Sequence, residues 1–309
     1  MRKIIIGTRG SRLALIQAGL VTDALHTAFP QREIALKKIK TTGDIITDIP
    51  LEKIGDKGVF IKELESALFE REIDLAVHSM KDLPTVLPES LQIGAVMARE
   101  NPYDVVIGSK KGLQLASLPR GALVGSSSLR RKAQLLHHYP HLDIQSIRGN
   151  LDTRLKKLQQ GDFDAIILAF AGVKRMGWTD LITEEISADV CLPAVGQGSI
   201  GLEIRQDDEE IAALINPLNC PLSEAAIRAE RAFLRKLEGG CQVPVGALAV
   251  IKDGQLELEG MVASLDGKVL FRETEKGLPS AADAVGTVLA GRLLEQGCGN
   301  ILDQIRQEC

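Results

Sequence analysis

Apolar positions along the chain alternate between short continuous runs and spacings of three and four. Ile4–Gly7 is a branched apolar run, and Leu13, Ile16, Leu20, Val21 and Ala24 then recur at helical spacing after Thr8-Arg9-Gly10-Ser11. This predicts strand, glycine-containing turn and helix, with Ser11 as the N-cap. Phe60, Leu64, Ala67 and Leu68 form a second helical stripe. Asp74–His78 reads as a strand running into Ser79-Met80-Lys81-Asp82-Leu83-Pro84. The series recurs: a strand at 122–124, a turn Gly125-Ser126-Ser127-Ser128, a helix from Leu129 to His138, a strand at 142–147, a stripe at Leu151, Leu155 and Leu158, and a buried strand at 164–169. Residues 70–77 and 160–167 match in design, each ending a helix and opening an apolar strand with an acid. Two α/β lobes of one plan are expected, each with a mostly parallel sheet.

The third region is patterned differently. Leu222–Leu237 is helical and stops at Glu238-Gly239-Gly240, glycine being the favoured helix terminator. Strand-like stretches follow at 243–251, 255–263 and 268–274, joined by hairpin turns at Lys252-Asp253-Gly254 and Asp266-Gly267, with helices at 281–296 and 299–307. The expected division is residues 1–99 plus 199–217, residues 104–194, and a small α+β domain at 221–309.

The 309 residues are 45% hydrophobic and 25% charged, ordinary for a globular protein. Aromatics are only 3%, too few for base-stacking platforms, so no nucleic-acid partner is expected. The five cysteines form no C-x-x-C pair and have neither disulfide-framework nor zinc spacing. No leader-like segment and no stretch near the ~18 apolar residues of a membrane span is visible. A cytoplasmic location without membrane association is the expectation.

Net charge is −4, yet residues 119–157 hold eight Lys/Arg against two acids. A local field of that sign favours an anion. Basic or hydroxyl residues recur where strands end: Arg9 and Ser11, then Lys81, then Ser126–Ser128 with Arg130 and Arg131, then Arg148, then Lys174 and Arg175. Strand carboxyl ends and helix N-termini are where α/β sheets take anions, and Arg clamps carboxylates through two parallel bonds. Repetition across five strand ends points to a ligand with several carboxylates or phosphates. Two other patterns read as decoys. Gly196-Gln197-Gly198-Ser199-Ile200-Gly201 matches a dinucleotide fingerprint, but Pro193 precedes it and a strand-like Leu202–Arg205 follows. His137, His138 and His141 straddle Pro140 and read as a solvated helix end rather than a metal site.

Cys241 sits in a Gly-Gly turn. Most cysteines are buried small apolar residues, whereas an open turn suits a reactive or modified thiol. Asp82 follows a strand beside Lys81, with Pro84 holding Leu83 extended. A salt-bridge partner and a catalytic acid are equal readings of it.

Seven stretches carry a resemblance over essentially the whole chain: residues 7–15 (GTRGSRLAL), 57–65 (KGVFIKELE), 76–84 (AVHSMKDLP), 125–131 (GSSSLRR), 147–150 (IRGN), 192–198 (LPAVGQG) and 238–244 (EGGCQVP). The sequence resembles the porphobilinogen deaminases, or hydroxymethylbilane synthases, transferases of tetrapyrrole (haem) biosynthesis. The resemblance implies periplasmic-binding-protein-like lobes and a monomer. It implies a dipyrromethane cofactor in thioether linkage to Cys241, and Asp82 as catalytic acid. It matches Arg9, Ser11, Gln17, Lys57, Phe60, Lys81, Ser126, Ser127, Ser128, Arg130, Arg131, Arg148, Arg154, Arg175 and Gln197 to cofactor- and substrate-binding positions, with Lys57 on a mobile loop over the cleft. Four porphobilinogens are joined head to tail with loss of ammonia, and hydrolysis frees the linear tetrapyrrole. Ser126 replaces the family's usual Thr, and Asp56 stands where Gly is frequent. Two other classes compete. An exported anion receptor with similar lobes leaves Cys241 and the third domain unexplained, and a nucleotide-dependent enzyme lacks its glycine context.

Overall fold

A computed structural model describes residues 2–41, 61–237 and 243–308. The chain lays down β1 (Ile4–Arg9), β2 (Ile34–Ile39), β3 (Leu75–Ser79) and β4 (Leu91–Val96), then β5 (Asp104–Gly108), β6 (Leu123–Gly125), β7 (Asp143–Gln145), β8 (Ala165–Ala169) and β9 (Glu184–Ile186). It continues with β10 (Ile200–Arg205) and ends on β11 (Val245–Lys252), β12 (Gln255–Ala263) and β13 (Leu270–Gly277). Contacts divide it into two compact units, 1–100 with 199–224, and 101–198 with 225–309.

The first unit holds one five-stranded sheet in the order β2-β1-β3-β10-β4, parallel except for β10, which runs against both neighbours. The second unit repeats this order as β7-β6-β8-β5-β9, with β5 reversed. Both sheets thus share one plan with one reversed strand in the fourth place, the two mostly parallel α/β lobes expected from the pattern. The second unit also holds the antiparallel sheet β11-β12-β13. Among the described residues no helix is long and apolar enough to cross a membrane.

The acid-led strands have a specific cause. Asp74, just before β3, donates its N–H to the Ile5 carbonyl at 2.8 Å and accepts the Ile5 N–H on its carboxylate at 2.8 Å. Asp164, before β8, does the same with Leu123, at 2.9 and 2.8 Å. An Asp in this place satisfies both backbone groups of the neighbouring strand where the ladder begins. The preceding helices, Lys62–Phe69 and Leu151–Gln159, end alike, with Arg71 (φ 56°) and Gly161 (φ 85°) in left-handed conformation.

Leu202–Arg205 is a strand, as its pattern suggested, and all six residues of β10 are buried. Glu203 is fully buried 2.9 Å from His78 Nε2, and Arg205 reaches Asp208 at 2.6 Å. Polar positions in this strand are paired within the unit rather than solvated. The strand expected over 142–147 is confined to 143–145. The hairpin at Asp253-Gly254 has φ of 52° and 76°, the paired positive values of a two-residue turn matched to strand twist. In the C-terminal core, Phe233 of the helix Pro221–Lys236 is fully buried, and a Cβ at Gly260 of β12 would stand 2.6 Å from its ring. His137 is exposed, as expected of a solvated helix end, yet its Nδ1 lies 2.8 Å from the Gly267 carbonyl.

The matched helix ends give a paired test. Gly161→Arg should cost about 1 kcal/mol, because a side chain strains the left-handed position. Arg71→Gly should cost nothing or stabilise by up to about 1 kcal/mol, since the exposed Arg71–Asp207 pair it removes contributes little. Urea midpoints of the two variants check the opposite signs.

Candidate functional site

In the first unit, β1 and β3 are adjacent and parallel, so their carboxyl ends share one edge of the sheet. Arg9 closes β1. Ser11 then caps the helix Arg12–Ala28, its Oγ accepting the Ala14 N–H at 3.3 Å, and no acid occupies the helix's first turn. Gln17 is buried and exchanges hydrogen bonds with the Ser79 hydroxyl at the end of β3, at 2.9 and 3.2 Å. It therefore fastens the strand end to the helix.

The turn Met80–Asp82 hangs between two buried anchors, Met80 and Leu83, at 1% and 4% exposure. The Met80 N–H donates to the Ser199 carbonyl at 3.0 Å, and Met80 lies against Gly201, where a Cβ would stand 2.2 Å from its sulfur. With both flanking side chains held inward, Lys81 and Asp82 are turned outward, and Asp82 is exposed. Among the described residues the Asp82 carboxylate makes no hydrogen bond or ion pair, so the salt-bridge reading of Asp82 finds no partner there.

In the second unit, the corresponding edge is formed by β6, β7 and β8. Ser126 is buried, and its Oγ accepts the Ser128 N–H at 3.3 Å. Ser127 spends its hydroxyl within the protein, 2.6 Å from the Ile147 carbonyl and 2.9 Å from the Ser146 hydroxyl, and so ties the β6 end to the segment leading into Arg148. Ser128 caps the helix Leu129–His138, whose first turn also lacks an acid. Arg148 is half-buried, and its guanidinium has no hydrogen-bond or ion-pair partner among the described residues. Arg154 Nε donates to the Gly149 carbonyl at 2.9 Å, and Arg175 Nη2 to the Gly198 carbonyl at 2.7 Å.

Arg130 and Arg131 are not surface arginines. Both are about 95% buried and converge on Asp104, at 2.8 and 2.7 Å. Gln197 Nε2 donates to the same carboxylate at 2.8 Å and to the Pro102 carbonyl at 2.7 Å. Asp104 escaped the sequence reading, and the surplus counted over 119–157 omitted this acid from outside the window. A signal was present, because Asp104-Val-Val-Ile is a third acid-led apolar strand. The glycine fingerprint at 196–201 is a turn with Gly196 and Gly198 at positive φ leading into β10, not the strand–turn–helix a dinucleotide needs. Lys57, Phe60 and Cys241, with Asp56, lie outside the described residues.

These groups suit a dipyrrole bearing acetates and propionates. The second unit offers an unpartnered guanidinium at Arg148, and its buried Arg130 Nε and Arg131 Nε have no protein acceptor. The helix N-terminus capped by Ser128 adds a positive end without a competing acid. The donors are cationic and forked, the chemistry that carboxylates select.

Fold and donor set are those of an α/β protein suited to a polycarboxylate ligand. Residues 4–213 match the family model "Porphobilinogen deaminase, dipyromethane cofactor binding domain", and residues 225–295 match the C-terminal domain of the same enzyme. The porphobilinogen deaminase of Desulforudis audaxviator is 55% identical over 305 residues, covering 99% of this chain and 98% of that one. The porphobilinogen deaminase of Geobacillus sp. is 51% identical, covering 100% and 99%. Among solved structures, the periplasmic aliphatic sulphonate binding protein SsuA from Escherichia coli overlaps 77% of this chain and 71% of its own at 15% identity, with a TM-score of 0.42. The chain belongs to the porphobilinogen deaminase family.

Three of the thiols differ in burial. Cys191 and Cys298 are buried, which pushes them up to about 12 and about 11. Cys220 is half-buried, and hydrogen bonding by Ser223 lowers it. In native protein at pH 8, iodoacetamide should label Cys220 on the order of 100-fold faster than Cys191 or Cys298, since the thiolate is the reactive form. Peptide mass spectrometry reads the three rates, and comparable labelling of Cys191 would contradict its burial.

Proposed function

We propose that the chain condenses four porphobilinogens head to tail, releasing ammonia at each step, and hydrolyses the product to free hydroxymethylbilane. Membership of the family supports this reading, and the outward Asp82 carboxylate, without a partner among the described residues on its doubly anchored turn, is the observation that carries it. When bound through Cys241, the dipyrromethane cofactor supplies the pyrrole carbon from which the chain grows.

The roles of the chain's own residues follow from their chemistry. Asp82 delivers a proton to the departing amine and, once ionised, stabilises the cationic carbon and the pyrrole N–H. Lys81 and Arg9, at the same sheet edge, hold carboxylates of the incoming porphobilinogen, and Ser11 offers its hydroxyl there. Gln17 keeps the strand end and the helix in register. Arg148, Arg154 and Arg175, with the buried Arg130 and Arg131, take carboxylates of the growing chain, which gains about two negative charges per step at neutral pH. Ser126–Ser128 and Gln197 support that edge, and Lys57 and Phe60 are assigned to the same ligand. We also read residues 221–309 as a third domain that carries Cys241, and the protein as a cytoplasmic monomer that engages neither nucleic acid nor membrane.

Asp82→Asn should fold normally, because the side chain is exposed and makes no contact that the substitution breaks. Its ammonia release from porphobilinogen should fall by about 10²–10⁴, the usual loss for a general acid. Turnover within a few-fold of the parent would remove Asp82 from the reaction. Arg148→Leu should raise KM for porphobilinogen about tenfold, as expected when one charged hydrogen bond is lost. An unchanged KM together with a full cofactor load would make Arg148 a bystander.

A further inference from the structure

In the second unit, two buried guanidiniums share one buried carboxylate. Arg130 Nη1 lies 2.8 Å from Asp104 Oδ2, and Arg131 Nη2 lies 2.7 Å from Asp104 Oδ1. Burial alone would favour the neutral acid, but the two guanidiniums beside it hold Asp104 well below the usual carboxylate range. The other groups in contact bring no charge. Gln197 contributes an amide, and Cys191 stays a thiol because burial pushes it up to about 12. The trio therefore carries one positive charge in excess, inside a region that excludes water.

Hydrogen bonding in the trio is one-sided. Arg130 Nη1 also reaches the Leu192 carbonyl at 2.7 Å, and Arg131 Nη1 the Ile167 carbonyl at 2.8 Å. Among the described residues, the Nε of each arginine is buried without a hydrogen-bond partner. An unmatched interior charge and two unmet donors each disfavour the state that holds them, unless an anion completes the set. The same carboxylate accepts from Gln197, which also bonds the Pro102 carbonyl. Asp104 thus joins the segment entering the five-stranded sheet at 101–104 to the segment leaving it at 195–198.

We propose that Asp104 is a positioning residue for carboxylate recognition. It takes one arm of each guanidinium, sets the direction of the Arg130 and Arg131 Nε edges, and leaves the single unit of charge that a carboxylate of the pyrrole chain neutralises. This rests on the reading that Arg130 and Arg131 bind that chain. Asp104 itself touches no ligand and acts through the arginines.

The test is Asp104→Asn, nearly isosteric but uncharged, expressed as full-length protein. Covalent cofactor load, read by intact mass, should fall about tenfold, and the molecules that do load should show KM for porphobilinogen raised about tenfold with kcat within about twofold, the size of effect expected for a charged contact. A merely structural role would lower the melting temperature and leave KM unchanged. Adding Asp104→Asn to the Arg130→Leu/Arg131→Leu pair should cost no further load, because Asp104 acts only through those two guanidiniums. Normal load and KM in Asp104→Asn, or a further loss when it is added to the variant lacking both arginines, overturns the proposal. Full loading of the Arg130→Leu/Arg131→Leu variant would instead defeat the underlying reading of the arginines. Should Asp104→Asn fail to fold, Gln197→Leu removes one donor from the carboxylate. A KM raised about threefold supports the proposal and an unchanged KM overturns it.

Discussion

The carboxyl-end edges of both five-stranded sheets depend on a lock at the opposite edge. Asp74 and Asp164 each satisfy the N–H and the C=O of one residue in the neighbouring strand, Ile5 and Leu123, where parallel pairing begins. In the first unit Arg205 adds to this lock, donating to the Leu68 and Ile73 carbonyls at 2.8 and 2.7 Å and pairing with Asp208. With register fixed there, the carboxyl ends can carry residues chosen for chemistry rather than for stability. Arg9, Lys81 and Asp82 stand at one such edge, and Ser126–Ser128, Arg148 and Arg175 at the other.

The two edges differ in how they manage charge. The first presents its acid outward on a short turn, with Met80 and Leu83 doing the holding and Asp82 left without a partner among the described residues. The second buries two of its cations on a single acid that offsets only one of their charges, and leaves Arg148 without a hydrogen-bond or ion-pair partner among the described residues. An anion of many carboxylates suits the second edge. A group that must gain and lose a proton suits the first, where solvent and substrate both have access.

Much of this was legible in the sequence. Strand-then-hydroxyl-or-arginine recurs at Thr8–Ser11 and at Ser126–Arg131 because both lobes use one plan, and the Ser11 and Ser128 caps fall where that plan places them. The hairpin at Asp253-Gly254 was legible because positive φ selects those residues. The reversed strand β5 was not, since Asp104–Gly108 is short and antiparallel pairing leaves no mark on its composition. The burial of Arg130 and Arg131 was equally hidden, because their counter-ion lies more than twenty residues away and only folding brings it to them. The partners of Glu203 and Arg205 were hidden for the same reason, since His78 and Asp208 meet them only in the folded chain. Cys241 was singled out by its Gly-Gly setting and by the family motif, not by any geometry.

In the proposed function, the thiol at position 241 anchors a short pyrrole primer whose carboxylates the arginines hold. Intact-mass measurement of the purified protein tests it most directly. The account predicts a mass exceeding that of the 309-residue chain by two condensed pyrrole units, with the addition mapping to the peptide that contains Cys241 and absent from Cys241→Ser. A parent protein of bare sequence mass that still condenses porphobilinogen, or an addition that persists in Cys241→Ser, would contradict it.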